Sequence, residues 1–390
     1  MYLAYRPWQR LRPGYLIPLA AALFSTLWFV VLYGFQAMPN QYVAYAATAA
    51  ARWLLLARRE SGPARARVAI GVVFVAMLAT SLLRPTDAVF LAVPLVLIAL
   101  VPGGTSIRRR IALVAAVGAG LAVGWAQWAY EAEERFGGFA SRLRGASENN
   151  RTGLHYAVDD QLRAIGGSVL CKDPCAADAA VREQLWLLVL VVLVAVGAVA
   201  AWRRGWRSFA VVPVLVGGSM AAQYLFLIDY AAPRFLTPTY ALVSLPCALG
   251  VVWLCRRWQG NRRRLVVAGL VLVLVAHLAV QLSILRDTGQ GVVQAKQSRA
   301  SVGAWLDARL DAPCVVLTDL GSPATAYAAG CSNKPNRGRA LRELIAGGAT
   351  DIAVVTREPA EPGAFYADWP VEFVDGPLVG SGTRAYLWRP

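Results

Sequence analysis

Charge is what this 390-residue chain has least of: 16% of its residues are Asp, Glu, Lys or Arg, against 57% that are hydrophobic. A soluble protein carries roughly 25% charged residues, because surface-to-volume scaling leaves much of any soluble fold wet. The deficit calls for an apolar solvent and excludes a soluble enzyme. Acids are scarcer than bases, 23 against 39, and there are two histidines. No spacing of His, Cys, Asp and Glu resembles a metal site. No relay of carboxylates runs through the apolar segments, as a pump or ion-coupled transporter needs. A Gly-rich phosphate loop between strand and helix is missing, so nucleotide binding has no support. A cleavable signal peptide is missing too: the apolar run behind the basic stretch Met1–Gly14 is too long and has no small-residue cleavage site. The first helix is expected to act as a signal anchor.

What the chain does have is a series of apolar runs near the ~20 residues that cross a bilayer. They are Tyr15–Gln36, Met38–Ala57, Val68–Leu83, Ala88–Val101, Ile111–Tyr130, Leu185–Trp202, Phe209–Ile228, Phe235–Cys255 and Leu265–Leu285. The net charge of +16 is confined to the connections, which excludes a nucleic-acid groove as a partner site. Met1–Gly14, Arg58–Arg67, Pro102–Arg110, Arg203–Ser208 and Arg256–Arg264 hold 18 arginines and the single acid Glu60, while the short turns on the other side hold only Arg84 and Arg234. Such asymmetry places the N-terminus in the cytoplasm.

The chain therefore reads as mainly α, a polytopic bundle of about nine transmembrane helices in the cell membrane. Residues 1–285 form the bundle, with an outer loop at 131–184. Residues 286–390 form a small extracytoplasmic α/β domain. There, Ser298–Leu310 has the helical period, Ala324–Ala329 and Arg339–Ala346 look helical, and Cys314–Thr318, Ile352–Thr356, Val371–Val374 and Ala385–Trp388 read as strands. Val68–Leu83 and Ala88–Val101 are short, so a full helical pair and a re-entrant hairpin both stay open.

Cys247 and Cys255 lie in an apolar run and read as buried hydrophobes. Cys171 with Cys175, and Cys314 with Cys331, pair by position as disulfides in an oxidising compartment. Arg52 lies near the inner face and is expected to snorkel toward it, and His277 reads as a packed residue. Polar groups gather at the outer face: Asn40, Arg84, Asp87, Asp229 and Arg234, with His155, Asp159 and Asp160 in the large loop. Outer turns are polar because they touch water, and Arg84 can pair with Asp87 locally. Yet two arginines stand where positive-inside selection disfavours them, and arginine at head-group level suits a lipid phosphate through a charge-assisted fork.

Three stretches carry a family likeness: Ser25–Gln41, Ser81-Leu-Leu-Arg-Pro-Thr-Asp-Ala-Val-Phe90 and Ala232-Pro-Arg-Phe-Leu-Thr-Pro-Thr-Tyr240. They resemble the GT-C-type polytopic glycosyltransferases, in their mannosyltransferase and aminoarabinose-transferase groups, and the tail resembles the extracytoplasmic domain of those enzymes. The resemblance implies transfer of a sugar from a polyprenyl-phosphate donor at the outer face. A carboxylate would act as general base, with cations or a divalent metal at the leaving phosphate. Carried over by position, Arg84 and Arg234 would contact the lipid phosphate, with Asp87, Asn40 and Asp229 lining the cavity. The family's catalytic aspartate precedes the matched region. Asn40 stands where an acid is common, and an amide cannot accept the proton. The base is thus unassigned, with Asp87 a candidate. An upstream start, a degenerate homologue and a second subunit each account for the gap. The alternative class is a non-catalytic scaffold or a lipid or polymer translocator.

Overall fold

The computed structural model describes residues 1–390 except 10–13, 37, 173–180, 319–321, 334–344, 346–350, 358, 361–363, 365, 376–378, 380–381 and 390, and the side chains of 149–150, 181–183 and 322. The chain divides into two compact units, Met1–Arg286 and Asp287–Pro390.

The first unit is helical: α1 Tyr2–Gln9, α2 Leu16–Ser25, α3 Trp28–Gly34, α4 Pro39–Arg59, α5 Pro63–Leu83, α6 Pro85–Leu100, α7 Ile107–Phe136, α8 Phe139–Asn150, α9 Val158–Ala164, α10 Val181–Arg203, α11 Arg207–Phe226, α12 Thr237–Arg257 and the part of α13 Gly260–Asp307 that precedes Asp287, with a 3-10 turn at Pro233–Leu236. Prolines open α4, α5 and α6, where the missing N–H costs nothing and the fixed φ suits the first helical turn. Among the described residues, six helices are long and apolar enough to cross a membrane, or seven if α2 and α3, bent by 75°, count as one broken span. The protein is a polytopic membrane protein.

The count is lower than the nine apolar runs. Met38–Ala57 does form α4, but eleven of that helix's residues are buried, Asn40, Thr48 and Arg52 among them. Packed against α1, α5 and α12, α4 is shielded from lipid and has no need to be apolar throughout. Ala88–Val101 becomes α6, whose 16 residues reach about 24 Å, short of the ~30 Å hydrocarbon layer. Its neighbour α5 begins at Pro63 and has 21 residues, enough to span, which narrows the choice between span and hairpin to α6. The sharp break falls instead inside Tyr15–Gln36, where the Trp28 N–H donates to Gln281 Oε1 at 2.8 Å.

Arg52 does not snorkel. It is 1% exposed, with Nε donating to the Pro7 carbonyl at 2.9 Å and its guanidinium 6.0 Å from the Trp8 ring. The last carbonyls of a helix lack intrahelical partners, and α1 ends against this arginine. His277 packs as expected: its ring meets Trp186 edge-on at 5.8 Å and lines an apolar cavity of about 370 Å³.

The stretch 131–184 contributes α8 and α9, and a strap at 152–171 is stitched to the end of α11 and the segment after it. Bridges Thr152 to Ile228 and Cys171 to Ala231 close its two ends. Between them the N–H groups of Gly153, His155 and Ala157 donate to the carbonyls of Leu227, Phe226 and Leu225. Cys171 is disulfide-bonded; Cys175 lies outside the described residues.

In the second unit, β1 Cys314–Thr318, β2 Ser332–Asn333, β3 Asp351–Thr356, β4 Val371–Phe373 and β5 Arg384–Trp388 form one sheet in the order β2-β1-β3-β5-β4. The first three are parallel, and β5 runs antiparallel to β3 and β4. The helix α14 Ser322–Ala328 links β1 to β2, and Cys314 is bonded to Cys331. Most of the helix expected at Arg339–Ala346 lies outside the described residues.

Candidate functional site

The site starts from one residue held extended. Arg84 is the single linker between α5 and α6, with φ −151° and ψ 90°. Pro85 imposes this, since the residue before a proline is pushed out of the helical region. The Arg84 side chain then turns back onto the first turn of α6, where its Nε lies 3.3 Å from Asp87 Oδ2. The Tyr224 hydroxyl donates to the other oxygen of Asp87, and Gln223 Nε2 donates to Thr86 Oγ1 at 3.0 Å. The end of α11 is thereby tied to the turn that carries Arg84.

Aromatic rings complete the setting. Tyr224 and Phe235 stack with centroids 4.7 Å apart at 17°. The Arg84 guanidinium lies 5.5 Å from the first ring and 5.6 Å from the second. Arg234, in the 3-10 turn, lies 5.2 Å from the same Phe235 ring and 5.3 Å from Tyr33. Its Nη1 donates to the Tyr33 hydroxyl and to the Val169 carbonyl, both at 3.1 Å. The two arginines flagged by the sequence, 150 positions apart, thus converge on one ring. Tyr230 packs edge-on to Phe235 at 5.6 Å. Burial pushes its phenol above the usual range, against the pull of Arg84 and Arg234. Each guanidinium has five N–H donors in a fixed fork; the Arg84 fork is shared between Asp87 and the Tyr224 hydroxyl, and Arg234 uses Nη1 for both of its bonds. An anion is the ligand such a pair can accept.

The other residues singled out fare differently. Asp87 is brought to the arginines but is 1% exposed and engaged with Arg84 and Tyr224. Asn40, in the first turn of α4, is 2% exposed, and neither polar atom of its amide has a hydrogen-bond partner. Asp229 sits 3.3 Å from Arg151, the residue that follows α8. His155 and Asp159 are exposed. Among the described residues no three of His, Cys, Asp and Glu gather to hold a metal ion, so the divalent cation that the resemblance allows has no ligand set there. Tyr33, Tyr224, Tyr230, Phe235 and the Val169 carbonyl escape a reading of the sequence, because aromatics inside apolar runs carry no sign of where they converge.

No protein-family model matches the chain, and no curated protein matches it by sequence. Solved structures do. The crystal structure of ArnT from Cupriavidus metallidurans in the apo state matches with a TM-score of 0.62 at 10% identity, over 99% of this chain and 80% of that one. The chain shares the fold of ArnT. The structure of ArnT bound to undecaprenyl phosphate gives a TM-score of 0.61 at 10% identity, over 99% and 81%. The ArnT-type architecture agrees with the resemblance read from the turns at Arg84 and Arg234.

Proposed function

We propose that the chain is a membrane glycosyltransferase-like protein that binds a polyprenyl-phosphate sugar donor at the extracytoplasmic membrane face. Arg84 and Arg234 hold the lipid phosphate. The observation that carries this reading is their convergence on Phe235, in a fold also adopted by a protein crystallised with undecaprenyl phosphate. Two guanidinium forks at one anion supply charge-assisted bonds that also stabilise a phosphate as it leaves. Asp87 acts here as a positioning residue that fixes Arg84. The Asp87–Tyr224 and Gln223–Thr86 contacts lock α11 to the same turn, which limits the reorganisation needed on binding.

Direct displacement at the anomeric carbon needs a base within hydrogen-bond reach of the acceptor hydroxyl. Asp87 is enclosed and Asp229 faces Arg151. That placement favours a second reading, in which the same site binds the lipid phosphate without transferring the sugar.

The experiment uses the full chain in lipid nanodiscs, with binding of polyprenyl phosphate and transfer from its glycosylated form measured separately. Arg84→Ala and Arg234→Ala should each abolish both. Binding lost with transfer absent throughout would select the second reading, and unchanged binding in both variants would end the proposal.

A further inference from the structure

The opposite end of the bundle carries a surface that the phosphate site does not use. Helices α10 and α12 run parallel, with Trp186 against Tyr240 at one level (centroids 5.8 Å apart). Further on, Gly197 and Gly250 let the backbones touch: a Cβ on Gly197 would lie 1.8 Å from the Pro246 carbonyl oxygen, and one on Gly250 would lie 2.3 Å from that of Leu193. Small residues at such crossings are how membrane helices approach closely. Six residues beyond each glycine, about 9 Å along, the helices reach Arg203 and Arg256.

The two adjoining turns, Arg203–Ser208 and Arg256–Arg264, hold eight arginines and no acid. All eight are exposed. Three tryptophans stand among them, each with a guanidinium over its ring: Arg207 at 4.1 Å from Trp202, Arg204 at 5.2 Å from Trp206 and Arg257 at 5.7 Å from Trp258. The helix α13 opens with Arg262, Arg263 and Arg264 and has no acidic residue in its first turn. Cations there oppose the positive end of the helix dipole. Insertion selects for the number of charges in a loop; it asks for neither indole stacking nor the glycine register that brings two turns together.

We propose that these two turns form a binding surface for the head groups of anionic phospholipids in the leaflet at that end. The guanidinium forks take the lipid phosphates, and Trp202, Trp206 and Trp258 sit at the interface between head group and acyl chain, where indole is favoured.

The test is native mass spectrometry of the full chain, titrated with phosphatidylglycerol or with phosphatidylcholine. Retention of phosphatidylglycerol alone, undiminished by millimolar inorganic phosphate, is the expected result. Arg203→Gln with Arg256→Gln should weaken that retention roughly thirty-fold, at about five-fold per cation removed. Since those arginines also direct insertion, Arg203→Lys with Arg256→Lys keeps the charge while removing the forks, and should weaken retention a few-fold. Equal retention of the two lipids, displacement by inorganic phosphate, or unaltered retention in the Lys pair would each overturn the proposal.

Discussion

Gly197→Ala adds one methyl group at the place where α10 and α12 touch. The new carbon would sit 1.8 Å from the Pro246 carbonyl oxygen, 2.7 Å from its carbon and 3.0 Å from the Gly250 nitrogen. All three are helix backbone atoms, so none can rotate away. Non-bonded atoms settle near 3.5 Å or beyond, so the helices must part by more than about 1 Å along this crossing, losing dispersion contacts over neighbouring turns. Overpacking of this kind costs about 1–3 kcal/mol, and a rigid backbone contact puts it near the top, about 3 kcal/mol, or roughly a hundred-fold in the folded ratio. Cys247, a buried free thiol one residue from Pro246, offers the readout. With Cys255 replaced by Ala, a thiol-reactive dye followed through a heating ramp should report Gly197→Ala opening several degrees early. Gly218→Ala is the control, because a Cβ there meets nothing within 4 Å, and alanine favours the helix by up to about 1 kcal/mol. Identical melts for the two variants would refute the reasoning.

Three further outcomes follow from other contacts. Gln281→Ala leaves the Trp28 N–H without its acceptor at the break between α2 and α3; the same dye assay should register a loss of about 1–3 kcal/mol. Asp87→Asn removes the counter-charge of Arg84 but keeps an oxygen for Tyr224. Its cost should be about 2 kcal/mol, below the 3–5 expected for a buried pair that loses one partner, with polyprenyl-phosphate binding weakened but not abolished; a melt equal to wild type would contradict the pairing. Replacing both Cys314 and Cys331 by Ser opens a crosslink spanning 17 positions. It should destabilise the C-terminal unit by about 3 kcal/mol, seen as faster hydrogen exchange at Val315–Leu317 and Ile352–Val355.

Much of this was legible in the residues, and the gaps have physical causes. Arg84 and Arg234 stood out because each breaks the asymmetry of the connecting turns. Four of the five sheet strands were legible because short β-branched runs sit between turn residues, as in Cys314-Val-Val-Leu-Thr318 and Ile352-Ala-Val-Val-Thr356, while β2, two polar residues long, carries no such pattern. The last apolar run and the helix at Ser298–Leu310 proved to be one helix of 48 residues, α13. Hydropathy ends at Arg286-Asp287, but helix propensity does not. The break after Ser25 carries no Pro or Gly; a side chain from α13, distant in sequence, accepts the freed N–H there. Arg52 was misread because its acceptor, the Pro7 carbonyl, exists only once α1 forms and docks on α4. Local pattern reports what each segment prefers, while the break after Ser25 and the burial of Arg52 depend on partners remote in the chain.

The strap at 152–171 holds its neighbours through main-chain oxygens: Ile165 accepts from the Trp28 indole N–H at 2.9 Å, and Val169 accepts from Arg234. A carbonyl is supplied by every residue type, so side chains along 152–171 can drift without loosening either anchor. Selection then acts on the path of the strap more than on its spelling. An architecture that persists at 10% identity is what such tolerance would leave behind, and relatives of this chain are better sought by shape than by alignment of this loop.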